Sequence, residues 1–234
     1  MMEKKIQLFL LPFAGGSSLS FMRVIRFLNP CIHAITVEYA GRGKRKEEKF
    51  IQEYDAFLDD VVSYILTRRN IKVPYAILGY SLGSALAFDL VRKNRLNDKA
   101  RHCFFCAEGS LLAKNPAREY GLLNDTDFMD KIISLGGMDD RLLNNQQALD
   151  TYLNIIKNDH NILAQFVYES GIVEQDASII YSPKDQTCIQ MKDWSRLVGA
   201  NIDYYEIGDN HLFINQHYRE MAKIINDKLK LYTE

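Results

Sequence analysis

Gly79-Tyr80-Ser81-Leu82-Gly83 is the stretch of this chain best equipped to do chemistry. It matches G-x-S-x-G, a strand-to-helix elbow that lifts a serine hydroxyl above the end of a sheet. In so tight a turn the residues two before and two after the serine crowd each other, so both must lack side chains. The pattern alone arises by chance in about one chain in twelve, so its surroundings decide. Here Tyr75-Ala76-Ile77-Leu78 leads in as a strand and a segment rich in Ala and Leu leads out as a helix, which is the setting the motif requires. A serine hydroxyl is a weak nucleophile until a base takes its proton, so the chemistry expected is nucleophilic catalysis through an acyl-serine.

The base and its orienting acid follow the serine in chain order on this architecture. His211 fits the base: Gly208-Asp209-Asn210-His211 follows the last expected strand and precedes the final helix. His33 and His102 fall at strand starts and His160 and His217 in helical patterns, where structural or solvated roles are expected. The acid must come from a neighbouring strand end. Asp185, in Ser182-Pro183-Lys184-Asp185, is the first choice and Glu108, at the end of an earlier strand, the rival. Asp209, two residues from His211, is badly placed to reach the far ring nitrogen. The tetrahedral oxyanion needs two N–H donors. Leu82, directly after the nucleophile, supplies the first, and Ala14 in Pro12-Phe13-Ala14-Gly15-Gly16 is the candidate for the second; a plain turn is the alternative reading of that loop.

Elements able to position these residues alternate along the chain. Short apolar runs at 6–11, 33–37, 75–79, 102–107, 178–181 and 203–207 read as strands separated by amphipathic helices. That is an α/β class, and with the elbow it predicts the α/β-hydrolase fold: a mostly parallel sheet flanked by helices. Phe50, Ile51, Tyr54, Phe57, Leu58, Val61, Val62 and Ile65 recur at helical spacing, and further helices are expected just after Ser81 and over about 213–231. The strand-poor segment of about 110–171 is read as a helical cap inserted above the site, with ordinary crossover helices as the alternative. A single domain over 1–234 is expected, since a chain of this length can bury one core without splitting.

Composition excludes several classes. A net charge of -1 argues against a general nucleic-acid binder, and no apolar run nears the length of a membrane span. Lys4-Lys5, the apolar 6–11 run and Ala14-Gly15-Gly16 superficially suggest a secretory leader, but Gln7 and Pro12 fit a short buried strand and its turn better, so a cytoplasmic protein is expected. Cys103 and Cys106, three apart on a strand, face opposite ways about 10 Å apart, too far to bridge, and no second ligand pair suggests zinc. Free thiols, no metal and no cofactor are the expectation.

These residues resemble a known family, the stand-alone type II thioesterases that accompany nonribosomal peptide and polyketide synthases, relatives of a medium-chain thioesterase of fatty-acid synthesis. Leu11-Pro12-Phe13-Ala14-Gly15-Gly16-Ser17 is similar to the family's P-[YF]-A-G-G-S loop and Gly41-Arg42-Gly43-Lys44-Arg45 to its G-R-G-x-R turn. Leu135-Gly136-Gly137 resembles its cap-region L-G-G, Asp185 falls where its acid lies, and Trp194 where a tryptophan follows that acid. The chain departs from the pattern at Tyr80, where the family has His, at Leu82, where it has Met, and at Asp209-Asn210-His211-Leu212-Phe213, where it has G-x-H-F-F. The resemblance implies hydrolysis of acyl groups from the phosphopantetheine thiol of acyl- or peptidyl-carrier proteins, clearing stalled or wrongly primed synthases. A monomer is the expectation. A small-ester hydrolase or lipase on the same fold is the competing enzyme reading, and a silent binding module the non-enzyme one. The basic loop 41–46 is expected either to recruit the acidic carrier or to be a solvated turn balanced by Glu47 and Glu48.

Overall fold

The computed structural model describes residues 5–113, 119–120, 122–136 and 144–233. Lys4 of the leader-like segment and Gly137 of the Leu-Gly-Gly motif lie outside the described residues, as do 114–118, 121 and 138–143 of the expected cap.

Strand β1 (Ile6–Leu11) is followed by helix α1 (Met22–Ile25), β2 (Ile32–Thr36), α2 (Tyr54–Leu66), β3 (Tyr75–Tyr80) and α3 (Leu82–Arg92). Then come β4 (Cys103–Cys106), α4 (Asp125–Ser134), α5 (Gln146–Ala164), β5 (Ala177–Tyr181), α6 (Trp194–Leu197), β6 (Ile202–Glu206) and α7 (Tyr218–Lys228). The six strands form one sheet in the order β2-β1-β3-β4-β5-β6, and every pairing is parallel. This is the α/β-hydrolase fold.

Because side chains alternate along a strand, each strand feeds two cores. Phe9 and Leu11 pack on one face with Tyr75, Ile77 and the buried stripes of α2 and α3. Ile6, Leu8 and Leu10 pack on the other with Ala76, Leu78, Met221 and Ile225. Cys103 and Cys106 fall in opposite cores, and all four cysteines are free thiols. The chain leaves β1 for β2 on one side and returns to β3 on the other, so the crevice between the carboxyl ends of β1 and β3 is the switch point where ligands bind in such sheets.

Two helix boundaries differ from expectation. Phe50 and Ile51 precede α2, which starts at Tyr54; Phe50 instead covers Gly41, so its apolar surface serves a loop. The final helix begins at Tyr218, and Phe213–Asn215 forms a separate 3-10 turn that buries Phe213 and Ile214 beside the histidine loop. Among the described residues no helix is long and apolar enough to cross a membrane.

Candidate active site

Ser81 sits in the turn between β3 and α3 at φ 52° and ψ -116°, a backbone conformation that is strained for a residue with a side chain. Surrounding contacts hold it there. The Ser81 N–H donates to the Cys106 carbonyl at 2.7 Å, and the Ser84 hydroxyl donates to the Gly79 carbonyl at 2.8 Å. Ser84 Oγ also accepts the Cys106 N–H at 3.0 Å, stitching the elbow to β4. A Cβ on Gly79 would strike the Gly83 carbonyl, and one on Gly83 would strike the Leu11 carbonyl. The two glycines therefore let strand, helix and the end of β1 close on one another.

His211, beyond the end of β6, points Nε2 at Ser81 Oγ at 3.1 Å. Its Nδ1 donates to Asp185 Oδ2 at 2.7 Å from the turn after β5. Asp185 is thus the carboxylate brought to the imidazole. Glu108 lines the same cleft without being the partner of His211, and Asp209 is engaged by its neighbour Asn210. The Thr187 N–H and hydroxyl both donate to Asp185 Oδ1, at 2.9 and 2.8 Å, and the Cys188 thiol lies 3.2 Å from Oδ2. Burial pushes the Asp185 carboxyl up, but the bond and charge of His211 together with the two Thr187 donors outweigh it and leave the group below its ordinary range. Burial, reinforced by Asp185, pushes the Cys188 thiol up, keeping it protonated and able to donate.

Three supporting residues were not visible from sequence patterns. The Tyr80 hydroxyl donates to the His211 carbonyl at 2.6 Å and accepts the Ile214 N–H at 3.4 Å, while its ring meets the imidazole edge-on at 6.3 Å. One of the chain's departures from the family pattern therefore braces the histidine loop. Thr187 and Ser84, just described, are the other two; an ordinary Ser or Thr near a turn gives no sign of its target.

Ala14, Ser81, Leu212 and His211 open onto one cleft with Ile132 and Leu135 from α4 and its end and with Ile156 and Leu163 of α5. Including its open mouth it encloses about 480 Å³. His160, expected to be structural or solvated, also lines this cleft, buried against Phe128 and Tyr120. Trp194 lies beneath, its indole N–H donating to the Glu108 carbonyl at 3.3 Å and its ring stacked on Phe105. Ala14 and Leu82 both have backbone N–H groups that, among the described residues, are matched to no acceptor. The described residues contain no group of His, Cys, Asp and Glu able to hold a metal ion.

The basic loop divides. Arg42 is buried and Arg45 is bound by Glu48 and Asp60, which leaves Lys44 and Lys46 as its exposed cations.

A family model described as the thioesterase domain matches residues 6–229. The gramicidin S biosynthesis protein GrsT of Aneurinibacillus migulanus is 21% identical over 97% of this chain and 90% of its own length. A medium-chain S-acyl fatty acid synthase thioesterase of Anas platyrhynchos is 26% identical over 89% of this chain and 85% of its own. The crystal structure of ClbQ from the colibactin NRPS/PKS pathway superposes with a TM-score of 0.88 at 23% identity, over 97% of this chain and 98% of that one.

Proposed function

The chain belongs to the thioesterase-domain family, and from that premise we propose that it hydrolyses acyl groups from the phosphopantetheine thiol of acyl- or peptidyl-carrier proteins, with Ser81 as nucleophile. The observation that carries this reading is the unbroken chain from Asp185 through His211 to Ser81, 2.7 and 3.1 Å, at the base of an apolar cleft. The carrier-bound substrate is supported by relatives and neighbours whose names place them in peptide, polyketide or fatty-acid assembly.

In this mechanism His211 Nε2 takes the Ser81 proton as Oγ attacks the thioester carbonyl, and the developing oxyanion is met by the N–H groups of Leu82 and Ala14. Asp185 keeps Nδ1 protonated and stabilises the imidazolium. The thiolate departs and the imidazolium proton neutralises it. Water, deprotonated by the same nitrogen, then attacks the acyl-serine and releases the acid. A thiolate is a better leaving group than an amide nitrogen, so the demand on the acid step is modest. The helices α4 and α5 act as the cap, within the span of about 110–171, and present the apolar wall against which the acyl group lies. That all four cysteines are free thiols supports a reducing, cytoplasmic setting for the reaction.

A fluorophosphonate probe should label the parent protein and not Ser81→Ala. Thioesters on a carrier protein should be hydrolysed far faster than matched oxygen esters. Preference for the oxygen ester would move the reading to a small-ester hydrolase, and absence of labelling would sink the nucleophile.

A further inference from the structure

We propose that the buried pair Arg42 and Asp159 is a positioning device for the oxyanion loop, locking the Ala14 peptide against helix α5. This rests on the hydrolase reading above and deepens it.

Asp159 lies on the buried face of α5, and both partners are out of solvent, at 3% and 0% exposure. Its Oδ1 accepts from Arg42 Nη2 at 2.6 Å and its Oδ2 from Arg42 Nη1 at 2.5 Å, a two-pronged pairing across 117 residues of chain. Oδ2 also accepts the Gly15 N–H at 2.8 Å, and Arg42 Nη1 reaches the Gly16 carbonyl at 3.2 Å. The Tyr39 hydroxyl, from the segment leading into the Arg42 turn, donates to the Pro12 carbonyl at 2.8 Å.

These bonds bracket one peptide. The candidate oxyanion donor is the Ala14 N–H, which belongs to the peptide between Phe13 and Ala14. The peptide before it is held through the Pro12 carbonyl by Tyr39, and the peptide after it through the Gly15 N–H by Asp159. Gly15 sits at φ +79°, a conformation that favours glycine, so the chain reverses just where the carboxylate grips it. With both neighbours fixed, the middle plane has little freedom to rotate its N–H away from the cleft.

Stability alone is a poor reason for such a pair. Desolvating two charges costs several kcal/mol, and apolar replacements of similar volume are often neutral or better. What an apolar replacement cannot supply is an acceptor for Gly15 and a donor for Gly16. A preorganised oxyanion donor matters in the transition state and little in substrate binding, so its disorder should appear in kcat rather than KM.

The test uses the whole protein. Removing one partner leaves a buried charge and threatens the fold, so the main variant is the double change Arg42→Met with Asp159→Leu. We expect it to fold with a cooperative melt, while kcat on a small acyl thioester falls about 10- to 100-fold and KM stays within about twofold. Tyr39→Phe, which keeps the ion pair and frees the Pro12 carbonyl, should lower kcat about threefold or more and serves where the double variant fails to fold. Parental kcat in a folded double variant, parental kcat in Tyr39→Phe, or a loss expressed in KM alone would each overturn the assignment. Failure of the hydrolase reading would look different: the parent itself would not turn over thioesters or take the fluorophosphonate.

Discussion

Replacing Asp185 with asparagine exchanges one oxygen for an NH2 group at a position where the neighbours decide which way the amide faces. Two donors of Thr187, its N–H and its hydroxyl, converge on Oδ1 at 2.9 and 2.8 Å, so the amide oxygen stays there. The NH2 group then takes the place of Oδ2, 2.7 Å from His211 Nδ1, and donates to it. The ring proton is driven to Nε2, aimed at Ser81 Oγ at 3.1 Å, and the base is lost. Turning the amide over would strand these two buried donors at about 1–3 kcal/mol each and regain only the weak Cys188 thiol donor. The productive tautomer therefore lies about 2–6 kcal/mol uphill, a factor of about 30 to 10⁴ in rate. Loss of the negative charge beneath the imidazolium adds to this, so we expect kcat for an acyl thioester to fall by about 10³–10⁴ with little change in KM. Adding Thr187→Val removes one of the two donors that fix the amide, and should recover at least about fivefold of the loss. Glu108→Gln should lose little. Steady-state rates on variants matched by circular dichroism check all three. Turnover of Asp185→Asn within tenfold of the parent, or a larger loss in Glu108→Gln, would refute the tautomer argument.

Tyr80→Phe removes the bond to the His211 carbonyl and leaves that carbonyl buried; it should cost about 1–3 kcal/mol in denaturant titration and lower kcat several-fold with KM unaffected. In the basic loop, Arg45→Ala should lower Tm through the loss of its Asp60 and Glu48 contacts. Lys44→Ala with Lys46→Ala should spare Tm and small thioesters and reduce the salt dependence of kcat/KM for carrier-bound ones. His102 is held down to about 4 by burial and by Lys228, so it is neutral when folded and protonates in the unfolded chain near 6.5. The unfolded state then binds the extra proton, and stability falls as pH drops from about 6.5 to 4, by about 3 kcal/mol in all. His102→Gln should flatten the pH dependence of Tm across that window.

What the sequence disclosed follows the range of the physics involved. The elbow was legible because its constraint is local: Gly79 and Gly83 are required by a collision between residues four apart. Strand positions emerged to within about a residue because buried parallel strands are continuous apolar runs. Phe213 and Ile214 fit the apolar pattern of the last helix because apolarity marks burial, and a 3-10 turn buries residues as well as a helix does. The bond between Arg42 and Asp159 was out of reach for pairwise pattern reading. One clue was present nonetheless: Asp159 falls between Ile156 and Ile162 on the buried face of an amphipathic helix, and a carboxylate there requires a cation. The role of Thr187 left no such mark.

The sheet order has a bearing on how this protein fails when heated. Ser81 hangs from a strand with neighbours on both sides, but His211 hangs from β6, the outermost strand, whose five residues are largely half-exposed or exposed. Edge elements open by local fluctuation at a fraction of the global free energy. Among the described residues, Lys228 to Asp203 and Tyr181 to Glu206 help to hold that edge down, and both lie where water and salt can compete for them. Catalytic competence should accordingly be lost by fraying of one margin, reversibly and several degrees before the bulk of the sheet unravels, while the opposite margin at β2 bears on the site only through the oxyanion loop, by way of Tyr39 and Arg42.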